Sequence, residues 1–360
     1  MSSISVAKMR EKIQQFPRVH LAELPTPLCK LENLSREFGG PELFIKRDDL
    51  TGLAFGGNKS RKLEFIISDV LAKKADVIIT WASVQSNWCL QTAAAARKFG
   101  IFPILILFKT YDLPDEYDGN LVLDHILGAD IRIKEAENRK MVSKEEVQNA
   151  IDEIIVGVEK KGYTSYVVPS GGSMIGGSME IPLGAISYTN AFVELLAQAE
   201  AQGIKFNYVI LATGSGGMQS GLVVGSKALG NDIKILGMSV SEKRDACAEQ
   251  VLKISRDTQC SLDIDLGIKQ DDILVFDDYI KEGYGIVDKE VAQILRLVAQ
   301  KEGIFLDPIY TGKAMLGLVD LINKGFFTKD DKVVFFHTGG TAALFPYKQK
   351  FCEFLSSPTP

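Results

Sequence analysis

Six short runs rich in β-branched and aromatic residues are spread along the chain: "DVIIT" at 76–80, "PILILF" at 103–108, "YVVP" at 166–169, "YVILATG" at 208–214, "KILGMSV" at 234–240 and "KVVFFH" at 332–337. Between them lie stretches of helical periodicity, "CLQTAAAARKFG", "AFVELLAQAEAQG", "VAQILRLVAQKEG" and "AMLGLVDLINKG", several closed by a glycine suited to a left-handed C-cap. Strand, helix and strand repeated in this way predict an α/β fold with parallel twisted sheets flanked by helices. A length of 360 residues with 46% hydrophobic and 24% charged side chains is enough for two domains with cores of their own. In open α/β sheets ligands bind beyond the carboxyl ends of the strands, so the loops there are where chemistry is expected. The glycine-dense "PSGGSMIGGSMEIPLG", Pro169 to Gly184, reads as a long loop between two α/β units.

Composition removes several classes of function. A formal net charge of −5 argues against nucleic acid as the main partner, because phosphate-backbone binding needs a basic face. Cys29, Cys89, Cys247, Cys260 and Cys352 are scattered and form no C-x-x-C pair, which points to reduced thiols and a cytoplasmic location. His20, His125 and His337 are too few and too dispersed for a histidine metal centre. The N-terminal "MSSISVAKMREKIQQF" lacks the apolar core of a signal peptide, and the apolar run Ile101 to Phe108 is far short of a membrane span.

Three loops carry candidate chemistry. In "FGGNKSRKLEFIISDVL" the apolar residues Leu63, Ile66, Ile67, Val70 and Leu71 mark one face of a helix, with Ser60 a reasonable cap. Lys59, Arg61 and Lys62 then crowd the positive end of that helix, each unfavourable by roughly 0.3–1 kcal/mol, so either water and salt screen the cluster or an anion sits among them. In "VILATGSGGMQSGL" a strand runs into Thr213, Gly214, Ser215, Gly216 and Gly217 and then a helix, which suits an oxyanion or phosphate cradle. The stretch is neither a Walker A motif nor a dinucleotide fingerprint, since Gln219 stands where the third glycine would be. In "SVQSNWCLQTAAAA", Ser86 and Asn87 are both favoured N-caps, a role compatible with touching a ligand. Thr311 in "DPIYTGKAM" reads as a cap for a helix beginning near Lys313, and His337 as a hydrogen-bonded histidine at a strand end. A lysine behind two glycines, flanked by cations and coupled to a separate phosphate cradle, points to pyridoxal 5′-phosphate held as a Schiff base. Neighbouring positive charge would lower the Lys59 amine from its ordinary range and make it a better nucleophile.

The ordered set "LPTPL", "FIKRDDLTG", "GGNKSRKLEF", "QSN", "QTAA", "ATGSGG", "EGYG", "LDPIYTGKAM" and "FFHTGG", from about Leu24 to Leu344, resembles the family of D-cysteine desulfhydrase and 1-aminocyclopropane-1-carboxylate deaminase. These are fold type II pyridoxal-phosphate enzymes of tryptophan synthase β-like architecture, a group that includes L-cysteate sulfo-lyase. The resemblance implies that Lys59 is the Schiff-base lysine and Lys62 a phosphate contact. It implies that Asn87 bonds the cofactor's phenolic oxygen and that Ser86 serves the substrate carboxylate or a proton transfer. Thr213, Gly214, Ser215, Gly216 and Gly217 resemble the phosphate loop. Tyr284 and Tyr310 resemble the two active-site tyrosines, with Thr311 beside the pyridine nitrogen. The implied organisation is a large cofactor-binding domain of residues 1–61 and 170–360, a small inserted α/β domain of residues 62–169, and a homodimer.

Thr311 stands where the ring-opening deaminases of this pattern have Glu. A neutral hydroxyl leaves the ring a weaker electron sink, which suits β-elimination of a good leaving group. Thr311 therefore points to desulfhydrase-like or sulfo-lyase-like chemistry over ring opening, and the reaction expected first is loss of sulfide from D-cysteine to give pyruvate and ammonia. L-cysteate sulfo-lysis, cyclopropane ring opening and cofactor binding without catalysis are the alternatives, and nucleotide binding is disfavoured by Gln219. Where the family pattern has Gly, His and Arg, this chain has Trp81, Trp88 and Leu90. These either reshape the substrate pocket or pack the underside of the helix.

Overall fold

The computed structural model describes residues 3–111, 117–136 and 142–356. Among the described residues ten strands form two sheets: β1 Leu28–Lys30, β2 Glu42–Arg47, β3 Val77–Ser83, β4 Phe102–Lys109, β5 Asp130–Glu135, β6 Ser165–Val167, β7 Tyr208–Thr213, β8 Lys234–Ser239, β9 Leu274–Phe276 and β10 Lys332–His337. The six-stranded sheet runs β1-β2-β10-β7-β8-β9 and the four-stranded sheet β5-β4-β3-β6. Every pairing is parallel except β1 with β2. Each of the six runs read as strands is one. Those overlooked, β1, β2, β5 and β9, are short or charge-interrupted, and their sheet neighbours supply what their own pattern does not.

The central strands β3, β4, β7, β8 and β10 are covered on both faces, which is why they are so continuously apolar. In β3, Val77 and Ile79 pack toward the helix Lys144–Glu159, while Ile78 faces the helix Asn87–Lys98. The six-stranded sheet likewise turns Val209, Leu211, Val334 and Phe336 to one core and Ile210, Leu236, Val333 and Phe335 to another. The first of these cores continues through Ile78, Leu105 and Leu107 of the four-stranded sheet. The helices Leu183–Ala201 and Gly217–Ala228 pack closely because the latter has Gly221 and Gly225 at its contact. A Cβ at Gly221 would lie 2.2 Å from the Ala185 carbonyl oxygen. Of the glycines expected to close helices, Gly100, Gly203, Gly303 and Gly325 all adopt positive φ.

The register of β10 on β2 pairs His337 with Arg47, so the chain after each strand leaves the sheet side by side. Gly57 and Gly339 then meet in an isolated bridge. A Cβ on Gly339 would be 2.7 Å from the Gly57 Cα, so this approach requires glycine. The carboxyl ends of β3, β7 and β10 thus present the "QSN", "TGSGG" and "HTGG" segments to one place.

Candidate active site

The helix Lys59–Ala72 starts four residues earlier than its apolar stripe, at Lys59 itself. Its N-cap position is Asn58, without a side-chain cap bond, and Ser60 is not the cap expected for it. Ser60 lies in the first turn, where its hydroxyl donates to Gln91 Oε1 at 3.1 Å. The three cations have separate fates. Arg61 is 2% exposed and its guanidinium donates to both oxygens of Asp48 and both of Glu194, so its charge is consumed inside the protein. Burial alone would raise the Glu194 carboxyl, but Arg61 and Lys46 outweigh it and hold Glu194 at about 2. Lys62 is buried without any carboxylate partner among the described residues. Its amine donates to the Gly171 carbonyl at 2.8 Å and to Ser173 Oγ at 3.0 Å. Burial, reinforced by Lys59, pushes it well below its ordinary range. Lys59 makes no hydrogen bond or ion pair among the described residues. Burial lowers its amine to about 8, against an opposing pull from the Asp307 carboxylate.

Lys59 and Lys62 open into a cavity of about 410 Å³. Ser86, Asn87, Thr213, Gly214, Ser215, Gly216, Tyr284, Tyr310 and Thr338 line it as well. The helix Gly217–Ala228 begins there behind Gly216, which takes the left-handed conformation at φ 76. The N–H groups of Ser215, Gly216 and Gly217 find no acceptor among the described residues. A Cβ on Gly217 would lie 1.9 Å from Ser173 Oγ and 3.5 Å from Lys62 Nζ, so Lys62 and the Pro169–Gly184 loop close against this helix start. Unpartnered N–H groups at a helix N-terminus and a buried amine without a counterion form an anion cradle. Thr213 and Gln219 build its floor. Thr213 Oγ1 donates to Gln219 Oε1 at 2.8 Å, and Gln219 Nε2 donates to the Leu274 carbonyl at 2.7 Å.

Ser86 is the N-cap of the helix Asn87–Lys98, its oxygen accepting from the N–H of Trp88 and Cys89, and it lines the cavity. Asn87 accepts from Asn120 Nδ2 at 2.7 Å. The Tyr284 and Tyr310 hydroxyls are 2.7 Å apart, with Ser83 Oγ 3.3 Å from Tyr284. Burial pushes both phenols up, so they stand as proton donors at neutral pH. Thr311 is placed differently from the expectation. It is fully buried in the first turn of the helix Thr311–Asn323, not its cap, and it lies behind the cavity wall. Its hydroxyl is 2.7 Å from Asp307 Oδ1, whose carboxylate also accepts from the N–H groups of Ile309, Tyr310 and Thr311. Thr338, unlike Thr311, lines the cavity.

Sequence reading overlooked Ser83, Asn120, Asp307 and Thr338. The "LDPIYTG" and "FFHTGG" motifs contain two of these, whereas Ser83 and Asn120 carry no sequence signal. Trp88 packs inward, its indole N–H donating to Thr80 Oγ1 at 2.7 Å, and Leu90 is buried away from the cavity. Trp81 does line it. His337 is buried, with Nε2 3.0 Å from the Phe305 carbonyl and Nδ1 accepting from the Gly339 N–H.

A lysine amine lowered to about 8, an anion cradle and hydrogen-bonding groups between them are what a phosphorylated pyridine aldehyde requires. The chain belongs to the pyridoxal-phosphate dependent enzyme family, whose model matches residues 19–339. Within that family it falls in the group of D-cysteine desulfhydrases and 1-aminocyclopropane-1-carboxylate deaminases. It is 37% identical to the D-cysteine desulfhydrase of Serratia proteamaculans over 94% of this chain and 98% of that protein. It is also 37% identical to a Pyrococcus furiosus protein provisionally named a 1-aminocyclopropane-1-carboxylate deaminase, over 97% of this chain and 99% of the other. The crystal structure of an ACC deaminase homologue superposes with a TM-score of 0.85 at 36% identity, covering 96% of this chain and 99% of that one. The diaminopropionate ammonia lyase of Escherichia coli shares the fold at a TM-score of 0.65 and 15% identity, covering 98% of this chain and 92% of that one. The protein is thus a fold type II enzyme whose cofactor is pyridoxal 5′-phosphate. Among the described residues no helix is long and apolar enough to cross a membrane.

Proposed function

We propose that the chain catalyses β-elimination from D-cysteine, yielding sulfide, pyruvate and ammonia. The observation that carries this reading is the Ser83, Tyr284 and Tyr310 hydroxyl chain, which opens on the same cavity as the Lys59 amine. One group is placed to remove a proton and the other to deliver one to a departing sulfur. Pyridoxal phosphate supplies an aldehyde to bond the substrate nitrogen and a ring that delocalises the electrons left at Cα. Lys59 holds the aldehyde and later takes the α-proton. Lys62 and the N–H groups from Ser215 to Gly217 hold the phosphate. Asn87 holds the phenolic oxygen, and Ser86 meets the substrate carboxylate or passes the proton. Water consumed after sulfur departs releases ammonia. The group lies between a unit of residues 62–169 and the remainder of the chain, 1–61 and 170–360, in a homodimer acting in the cytoplasm.

Two features favour sulfide loss over the alternatives. Asp307 has its oxygens occupied by its own loop, and Thr311 is closed upon it, so a neutral residue of the cavity wall, Thr338, would be the partner of the ring nitrogen. A weak electron sink suits a good leaving group better than ring opening. Lys59 and Lys62 are also the only Lys or Arg side chains among the described residues lining the cavity, and both serve the cofactor. The second negative charge of L-cysteate therefore has no partner. The test incubates the holoenzyme with D-cysteine, L-cysteine, L-cysteate, D-serine, β-chloroalanine and the cyclopropane acid, measuring pyruvate and 2-oxobutyrate separately. Pyruvate from D-cysteine at the highest kcat/KM is expected. Preferential 2-oxobutyrate formation would establish ring opening instead, and no product from any substrate would establish a binding protein.

A further inference from the structure

The amide of Asn87 is oriented by a residue outside the cavity. Asn120, fully buried on the helix Gly119–Ile126, donates from Nδ2 to the Gln85 carbonyl at 3.0 Å and to Asn87 Oδ1 at 2.7 Å. A backbone carbonyl can only accept, so the Asn120 atom facing Gln85 must be its nitrogen. The second hydrogen on that nitrogen requires an acceptor at Asn87. The Asn87 oxygen is therefore turned toward Asn120, and its NH2 group faces the Gly340 side, 2.7 Å from where a Gly340 Cβ would be.

Asn120 has little freedom to turn away. Its own N–H donates to Gln85 Oε1 at 2.8 Å, and Gln85 Nε2 donates to the Asp118 carbonyl at 2.8 Å. Gly119 between them adopts φ 57, where a Cβ would lie 2.7 Å from Gln85 Oε1 and 2.9 Å from the Ala342 carbonyl oxygen. The segment 118–120 is thus clamped to Gln85, and Gln85 immediately precedes the "SN" pair of the site.

We propose that Asn120 is a positioning residue that makes Asn87 a hydrogen-bond donor, not an acceptor, toward the phenolic oxygen of pyridoxal phosphate. This rests on the role proposed for Asn87. A donor stabilises the phenolate, whereas an amide oxygen in its place would repel it. Asp at position 120 has no N–H to give. It would accept from Asn87, turning the Asn87 NH2 inward and its oxygen toward the cofactor.

The experiment titrates the visible absorption of the bound cofactor against pH, and measures cofactor affinity, in wild type, Asn87→Ala, Asn120→Asp and the double variant. Losing the donor leaves the phenolate a stronger acceptor for the proton on the cofactor-linked Lys59 nitrogen, so the midpoint should rise by about one pH unit in each single variant. Cofactor affinity should fall roughly tenfold in both. Asn120→Asp should add nothing to the midpoint once Asn87 is alanine. Asp124 lies one turn along the helix, buried with neither carboxylate oxygen hydrogen-bonded among the described residues, so a second carboxylate beside it endangers folding. Asn120→Ala, made in parallel, removes the donor without adding charge and should move the midpoint in the same direction by less. A shifted midpoint in Asn87→Ala with wild-type midpoints in the Asn120 variants overturns the positioning role and leaves the Asn87 reading standing. A wild-type midpoint in Asn87→Ala overturns both. A purely structural Asn120 would lower thermal stability in its variants without moving the midpoint.

Discussion

Lys59 and Lys62 stand three residues apart at one helix start, and burial makes different tools of them. Lys59 has a free amine on the cavity wall, whereas Lys62 is held by the Gly171 carbonyl and Ser173 against the Gly217 turn. Lys59→Ala should abolish the visible absorption of covalently held cofactor. Lys62→Ala should keep that absorption but weaken affinity by an amount on the order of a charged hydrogen bond, about 1.5–3 kcal/mol. Equal absorption in wild type and Lys59→Ala at saturating cofactor would contradict this division. The lowered Lys59 value also sets a pH dependence. Only the neutral amine attacks the aldehyde, so loading of the cofactor-free chain should slow about tenfold per unit well below pH 8 and level off above it. Stopped-flow absorbance between pH 6 and 9 reads this directly, and a flat profile would show that Lys59 is not the titrating nucleophile. Arg61, between the two lysines in sequence, looks like a third member of the cluster. In the folded chain it belongs to Asp48 and Glu194 instead.

At the scale of elements, the site depends on the start of the helix Gly217–Ala228 and on the loop from Pro169 to Gly184 that closes against it. That loop was legible in the sequence only as a glycine-rich connection. Its glycines have specific neighbours, since a Cβ on Gly171 would strike Ser215 Oγ at 2.2 Å and one on Gly184 would strike the Gly172 carbonyl oxygen at 2.2 Å. Gly217→Ala should therefore displace the cradle and weaken cofactor binding at least tenfold, although an alanine is otherwise welcome in a helix. The contact is with Ser173, so Ser173→Gly in the same chain should restore much of the affinity. Fluorescence titration of the cofactor in the single and double variants would show it. Absence of rescue would mean that Gly217 is required for a reason other than this contact. The helix Lys59–Ala72 teaches a related point. Its apolar stripe located the buried face, but its first turn is anchored by Thr51, Gln91 and the Arg61 ion pairs, all distant in sequence from any capping rule.

For the whole molecule, groups from both sheets surround one cavity. Ser83, Ser86 and Asn87 lie at or just beyond the end of β3 of the four-stranded sheet, while Thr213 to Gly216 and Thr338 lie at or just beyond the ends of β7 and β10 of the six-stranded one. A ligand that bonds to both should stabilise the chain as a unit, by about 2.7 kcal/mol at a hundredfold excess over its Kd. Thermal denaturation should show a midpoint that rises with pyridoxal phosphate, less so in Lys62→Ala, and an unmoved midpoint would count against the site. The α/β class, six of the ten strands, the lysine and the glycine cradle were all legible in the sequence, because periodicity and glycine-rich strand ends are local properties. The same holds for Ser86, Asn87, Tyr284 and Tyr310, which sit inside recognisable segments. Tertiary structure alone decided which of three neighbouring cations is paired inside the protein and which two reach the cavity, that Thr311 closes on Asp307 while Thr338 lines the cavity, and that Asn120 turns the Asn87 amide. Those outcomes depend on burial and on hydrogen-bond partners that for Arg61 lie 13 and 133 residues away in the chain, at Asp48 and Glu194. Desolvation and pairing act through space, and only the folded chain brings those groups together.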